Sequence, residues 1–169
     1  ALTGCLMPSV VEANTQYGPG ASATGGDSVA VGDSAKATAG HATAIGTLTE
    51  ADGTNSFVAG LQAKSGATAE NSVAIGRGAQ ALGQKRVSEQ FTASTIAIGN
   101  NATATENGDI VIGRQAKSTV SQYHNHPQGG NGAVVMGAEA ASYGSRGDVV
   151  LGAGAEACLL RKDVTNPAD

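Results

Sequence analysis

The chain lacks most of the residues that fill the core of an ordinary globular domain. Its 169 residues include no Trp, and aromatic residues make up only 3% of the total. No run of 18 apolar residues is present, so the sequence offers no candidate transmembrane helix. The net charge of −4 is mild and the basic residues are scattered, which argues against nucleic acid as a partner. No signal peptide is recognisable, so we expect any targeting segment to lie outside this sequence.

Cysteine is also scarce, and the two cysteines, Cys5 and Cys158, lie near opposite ends of the chain. If the repeats described below stack as nine coils at about 4.8 Å each, the two ends are roughly 40 Å apart. A disulfide within one chain cannot span that distance. We therefore expect isolated buried or terminal thiols, with a bridge between chains around a symmetry axis as the alternative.

What the chain does contain is a repeat rich in Ala, Val and Ile. The segment at residues 71–76, Asn-Ser-Val-Ala-Ile-Gly, has eight clear copies, which end at glycines 32, 46, 60, 76, 99, 113, 137 and 152. The smallest spacing between these glycines, 14 residues, is the base period. A degenerate copy at residues 14–18 extends the array to nine units, and such periodicity is typical of a solenoid.

Each unit predicts two short strands. In the first strand, alternation places Val29 and Val31 on one face and Ala30 on the other, and we assign the two valines to the inside of the coil. The second half alternates alanine with polar residues, such as Lys36, which indicates one buried and one solvated face. The sequence thus predicts an all-β solenoid, a parallel two-sheet roll with coils of about 14 residues, in which the glycines form the corners.

A paired substitution supports a packed layer at the predicted inward positions. In the copy at residues 55–60, the first of these positions is Phe57 and the second is Ala59, so that one residue is larger and the other smaller than usual. Such a change roughly conserves volume. We therefore interpret Phe57 as a packing residue and not as a ligand contact.

The middle residue of the first strand is predicted to face outward, where it would form a continuous apolar stripe. Monomers seldom expose such a stripe, and its simplest cover is the same stripe on identical chains. The predicted interface residues are Ala30, Ala44, Val58, Ala74, Ala97, Val111, Val135 and Val150.

The hexapeptide, followed by x-x-Ala-x-Ala at a period near 14, resembles the head repeats of trimeric autotransporter adhesins of the YadA type. The resemblance covers residues 14–157 and implies a left-handed parallel β-roll that assembles as a homotrimer. It also implies a non-catalytic head, held by a stalk and an anchor on the bacterial outer membrane, that binds host matrix proteins or cell-surface receptors. We expect residues 1–13 to be an N-terminal extension or to finish a preceding module, and residues 158–169 to lead toward a neck or stalk.

Two coils contain long insertions, at residues 82–93 and 119–131, which both follow the second strand. Insertions on a rigid solenoid are natural recognition sites, although they could also cover an edge or contact a neighbouring chain. The candidate ligand-binding residues within them are Lys85, Arg86, Phe91, Tyr123, His124 and His126.

Other functions fit the sequence less well. His124 and His126 could meet around a three-fold axis, but no Cys or carboxylate lies nearby, so we predict no metal site and no cofactor. A trimeric left-handed β-helix acyltransferase would have a period of six, and 14 is not a multiple of six. An ice-binding solenoid would need a regular array of threonines, and the outward residues of the second strands are of mixed type. We expect no enzymatic activity, and a purely structural spacer remains the second alternative.

Overall fold

The computed structural model describes residues 13–84, 94–119, 132–143 and 147–158. These residues form eighteen short β-strands and no helix. The strands form two parallel sheets of nine strands each, and the chain alternates between the sheets at every step. The fold is therefore a parallel two-sheet solenoid, as the 14-residue period predicts.

The odd-numbered strands form the first sheet in chain order. They are β1 (Thr15–Tyr17), β3 (Val29–Val31), β5 (Thr43–Ile45), β7 (Phe57–Ala59), β9 (Val73–Ile75), β11 (Ile96–Ile98), β13 (Ile110–Ile112), β15 (Val134–Met136) and β17 (Val149–Leu151). The even-numbered strands form the second sheet. They are β2 (Ser22–Ala23), β4 (Lys36–Ala37), β6 (Glu50–Ala51), β8 (Lys64–Ser65), β10 (Gln80–Gln84), β12 (Thr103–Glu106), β14 (Lys117–Ser118), β16 (Ala141–Tyr143) and β18 (Glu156–Cys158).

Successive coils stack in register because equivalent residues pair. The ladder runs Val29 to Thr43 to Phe57 to Val73 in the first sheet, and neighbouring columns follow the same order. Backbone hydrogen bonds between coils also extend into the corners, where the amide of Gly46 donates to the carbonyl of Val31 at 2.7 Å. Each coil is thus aligned by its neighbours on both sides, and equivalent side chains form columns along the solenoid.

The second strand of most coils has the predicted alternation of a buried and a more exposed face. In β4, Lys36 is exposed and Ala37 is buried, and Ala35 before the strand is also buried. In this sheet the inward positions hold mainly Ala or Ser, including the buried Ser65 and Ser118, and long polar side chains such as Lys36 point to solvent. This part of the prediction is confirmed.

The prediction of which residues face inward in the first sheet is wrong. In β9, Ala74 is fully buried, whereas Val73 is half-buried and Ile75 is 37% exposed. The same holds in the copy with the unusual pair, because Val58 is buried and Phe57 is 39% exposed. The valine and isoleucine pairs therefore lie on the outside, and the middle residue of each first-sheet strand from β3 to β17 belongs to the core.

Packing between the two sheets explains this orientation. Alanine dominates the buried cluster, and its largest fully buried apolar side chains are Val58, Val111 and Val135. Interiors are close-packed, so two sheets whose inner faces contain Ala and Ser leave no room for two large side chains per coil. Small residues make a thin core, and the larger residues are left outside.

The closing glycines form the corners after the first sheet. Gly60 has φ of 134°, and a Cβ added there would lie 2.5 Å from the carbonyl oxygen of Gly76 in the next coil. An L side chain is excluded both by the backbone conformation and by the neighbouring coil. The opposite corner uses residues such as Asn55 and Asn71, which both have φ near 55° and are joined by a side-chain hydrogen bond of 3.1 Å.

The structure also refines where the two insertions begin. Residues 82–84 belong to strand β10, and Thr119 still donates its backbone amide to Ser142 in the next coil. Residues 85–93 and 120–131, which lie outside the described ranges, both connect a strand of the second sheet to the next strand of the first sheet. Within the described ranges, no helix is long and apolar enough to cross a membrane.

Candidate functional site

The outer face of the first sheet is a continuous apolar surface, which we call the outer apolar face. It consists of two columns in register from β3 to β17. The first column is Val29, Thr43, Phe57, Val73, Ile96, Ile110, Val134 and Val149, and the second is Val31, Ile45, Ala59, Ile75, Ile98, Ile112, Met136 and Leu151.

Among the described residues of this face, six large apolar side chains are more than a third exposed. Ile45 and Met136 are 41% and 42% exposed, and at the end of the array Leu151 is 62% exposed. Eight strands at about 4.8 Å spacing make the face roughly 34 Å long. Soluble monomers rarely expose contiguous apolar surface on this scale, and larger patches mark association sites. The outer apolar face is therefore the best candidate for a functional surface on the described residues.

The outer face of the second sheet is polar by contrast. Lys36 and Glu50 form an ion pair of 3.6 Å between adjacent strands, and Thr38 donates to Asp52 at 2.6 Å. Farther along, the ammonium group of Lys117 lies 5.0 Å from the centre of a tyrosine ring. Such side chains suit contact with water, and the solenoid thus has one apolar and one polar flat side.

The eight residues predicted as a contact between chains do not lie on this surface. All are in the core of their own chain, seven of them with no exposed area and Val150 with 5%. A side chain without exposed area cannot contact a second chain, so this assignment is corrected. The residues concerned are Ala30, Ala44, Val58, Ala74, Ala97, Val111, Val135 and Val150.

The sequence signal that could have identified the outer face is the range of residue sizes in each column. From β3 to β17 the middle column contains only Ala and Val, as a thin core requires, whereas the flanking columns accept residues as different as Thr43, Phe57 and Met136. A surface column tolerates such variation more readily than a core column does. Hydrophobicity alone gave the wrong assignment.

The predicted ligand-binding side chains fall outside the described residues. They are Lys85, Arg86, Phe91, Tyr123, His124 and His126. Among the residues that the structure does describe, no group of three His, Cys, Asp or Glu side chains is placed to hold a metal ion. The remaining histidine, His41, is exposed in a corner with its Nδ1 3.9 Å from a carboxylate oxygen of Asp27.

A buried carboxylate lies beside one insertion and was not predicted. Asp109, which is 2% exposed, precedes strand β13. One carboxylate oxygen accepts hydrogen bonds from the Ser118 hydroxyl at 2.5 Å and from the Glu106 amide at 2.8 Å. The other oxygen accepts from the amide of Ala133 at 2.9 Å. Asp109 therefore joins its own coil to the point where the next coil resumes after residues 120–131.

Related pairs show how the core accepts polar groups. Ser56 and Ser65, nine residues apart as are Asp109 and Ser118, are joined by a buried hydrogen bond of 3.1 Å. In the next coil the equivalent position is Ala81, and the buried hydroxyl of Ser72 has no hydrogen-bond partner among the described residues. A buried hydroxyl in the core is thus satisfied either by the opposite column or, as for Ser28 with the carbonyl of Gly25 at 2.7 Å, by a nearby backbone group.

Burial raises the pKa of the Asp109 carboxyl above its ordinary value of 3.8, although hydrogen bonds from Ser118 and from the backbone partially oppose this shift. The folded state consequently binds this proton more tightly than the unfolded state. Its contribution to stability is fully present below pH 3.8 and is lost as the pH rises through the raised pKa.

We expect this titration to appear as a pH-dependent difference between the wild type and Asp109→Asn. As the pH falls from about 7 to about 4, the free energy of unfolding of the wild type should increase relative to that of the variant, with a slope no steeper than about 1.4 kcal/mol per pH unit. Urea unfolding of both proteins at several pH values measures this difference. If the free energy of unfolding of the wild type falls relative to that of Asp109→Asn on acidification, the raised pKa is contradicted.

Comparison with known proteins places these observations in a family. The model of the YadA head domain repeat matches residues 18–35, 23–49, 37–63, 67–85 and 93–116, which together cover more than half of the chain. No curated protein and no solved structure gives a match. The matched segments contain strands β2 to β7 and β9 to β13.

Proposed function

The chain belongs to the YadA head domain repeat family, a family of bacterial surface adhesin heads without enzymatic activity, and from this premise we propose that it is the trimeric, non-catalytic head of an autotransporter adhesin. Three copies pack their outer apolar faces around a common axis and turn their polar sheets to solvent. The head binds host extracellular-matrix or cell-surface molecules. A stalk and an anchor encoded outside this sequence hold it at the outer membrane.

The observation that carries this proposal is the contrast between the two outer faces. Chains placed around a three-fold axis parallel to the solenoid bring their outer apolar faces together along the full length. The ion pair of Lys36 and Glu50 and the other polar groups of the second sheet then stay in water. Burial of apolar area at about 25 cal/mol per Å² favours this arrangement, and its net affinity is reduced by the cost of association.

Trimerisation gives the mechanism of binding. Each ligand site is present three times at fixed separations on a rigid rod. When three weak sites engage one surface, the overall affinity exceeds that of a single site by on the order of 10²-fold or more. Ligand contact uses either the insertions at residues 85–93 and 120–131 or the polar outer sheet.

A binding experiment with paired variants tests the function and locates the site. The purified protein is applied to immobilised matrix proteins and to host cells, together with a variant in which Lys85, Arg86, Phe91, Tyr123, His124 and His126 are replaced by Ala. We expect binding to at least one matrix or cell-surface molecule, and a loss of about tenfold or more in the variant if the insertions recognise it.

The matched variant is Lys36→Glu with Lys64→Glu, which alters only exposed positions of the second sheet. If only this variant loses binding, the ligand site lies on the second sheet and not in the insertions. If the wild-type trimer binds no matrix protein and no host cell, the adhesin function is contradicted and the head acts as a spacer.

A further inference from the structure

The outer apolar face contains one layer that differs from the others. In strand β7 the two outward residues are Phe57 and Ala59, and they lie between Thr43 and Ile45 on one side and Val73 and Ile75 on the other. In this layer the residue of the first column is therefore larger, and the residue of the second column smaller, than its neighbours in the adjacent layers. Since both residues are outside the core, packing within the solenoid does not require this compensation.

From β3 to β17 the total size of each layer nevertheless varies only between six side-chain non-hydrogen atoms, in the valine pair of β3, and eight. A valine and isoleucine pair has seven side-chain non-hydrogen atoms, as in β9, and the phenylalanine and alanine pair of β7 has eight, the same as the isoleucine pairs of β11 and β13. A constant total with variable members is expected where the two columns fill one shared space. On a solvent-exposed face, no packing requirement would fix the total.

Rotational symmetry supplies that shared space. In a closed ring of three chains each interface is heterologous, so the first column of one chain faces the second column of the next. An axis parallel to the solenoid keeps equivalent residues at the same height. The large side chain of Phe57 then lies against the small Ala59 of the neighbouring chain, and this contact occurs three times in one layer.

We propose that Phe57 and Ala59 form a register-determining layer, in which Phe57 of each chain packs over Ala59 of a second copy of this chain. The inference rests on the proposed trimer. A displacement by one coil would place Phe57 against Ile45 or Ile75 and would overfill the layer. Steric exclusion of this kind specifies a partner with the same sequence, aligned at the same height.

Mixed assembly tests the pairing directly. The double variant Phe57→Ala with Ala59→Phe keeps the layer composition but exchanges the columns. It should form trimers by itself. In mixed trimers with the wild type, however, two Phe side chains meet at one interface and two Ala side chains meet at another. We expect mixed trimers to fall about tenfold or more below the random proportion, because overpacking and cavities both disfavour them.

The measurement is native mass spectrometry after co-expression of the two chains with different tags. A second variant, Phe57→Val with Ala59→Ile, reproduces the composition of the β9 layer and should also separate from the wild type. It keeps the test decisive if the exchanged variant does not fold. The control is Lys64→Arg, an exposed change on the second sheet that should mix randomly with the wild type.

The possible outcomes separate this inference from the proposed function. Exclusion of mixed trimers together with random mixing of the control supports the register-determining layer. If the trimers form and both size variants mix randomly with the wild type, the layer pairing is wrong and the trimer stands. If the wild type is monomeric, both the trimer and the pairing are wrong.

Discussion

Ala74→Arg should prevent the chain from folding, whereas Ile75→Arg should leave a folded chain that no longer assembles. The two residues are adjacent in β9 but point to opposite faces, since Ala74 is fully buried and Ile75 is 37% exposed. An arginine at position 74 would place an unpaired charge and a long side chain in a core of small residues. We expect a loss of more than about 4 kcal/mol in the free energy of unfolding.

At position 75 the arginine can extend into water in a single chain, so the cost to the fold should be within about 1 kcal/mol. In the proposed trimer, three such charges lie near the axis without partners. The affinity between chains should fall by on the order of 10³-fold. Circular dichroism reports folding, and sedimentation velocity reports assembly.

The control for both variants is Gln80→Arg, which adds the same side chain on the outer face of the second sheet. It should remain folded and assembled like the wild type. A folded, assembled Ala74→Arg variant would show that the middle column does not form the core. If Ile75→Arg assembles like the wild type, the outer apolar face does not form the interface between chains.

Gly76→Ala should be among the most destabilising conservative changes in the chain. Gly76 has φ of 128°, and a Cβ at this position would lie 2.5 Å from the backbone carbonyl oxygen of Gly99 in the next coil. The neighbouring atom is backbone and cannot move aside without breaking the register of the coils. Strain and overlap together should cost about 3 kcal/mol or more.

Gly26→Ala is the matched control, because Gly26 has no heavy atom within 4 Å of an added Cβ and no left-handed φ. Its stability should equal or slightly exceed that of the wild type, since alanine restricts the unfolded chain. Urea unfolding of the two variants compares them under identical conditions. Equal stabilities would mean that close stacking of the corner glycines does not limit the fold.

Much of the architecture can be predicted from the sequence because each repeat unit specifies one coil of the solenoid. The period of 14 predicts the coil, the alternation around Lys36 predicts the orientation of the second strand, and the glycines predict the corners. The alternation of the first strand does not reveal which of its two faces points into the solenoid. Both faces of Val29, Ala30 and Val31 are apolar, and the choice depends on the distance between the sheets, which is a property of the stacked coils.

The buried polar groups were not predicted for a related reason. Asp109 occupies the position that is Ser28, Ser56 or Ser72 in other coils, which places it in an inward column. A carboxylate in a corner of the repeat is ordinarily read as solvated. Its burial depends on the hydroxyl of Ser118 and on the amide of Ala133, 24 residues away, and both become neighbours only when the coils stack.

The most direct test of the proposed assembly is sedimentation equilibrium of the unmodified chain at micromolar concentration. We expect a single species of three times the chain mass of 16.5 kDa, and we expect Ile75→Arg to sediment at one chain mass under the same conditions. A folded wild-type chain that sediments as a monomer would contradict the proposed trimer.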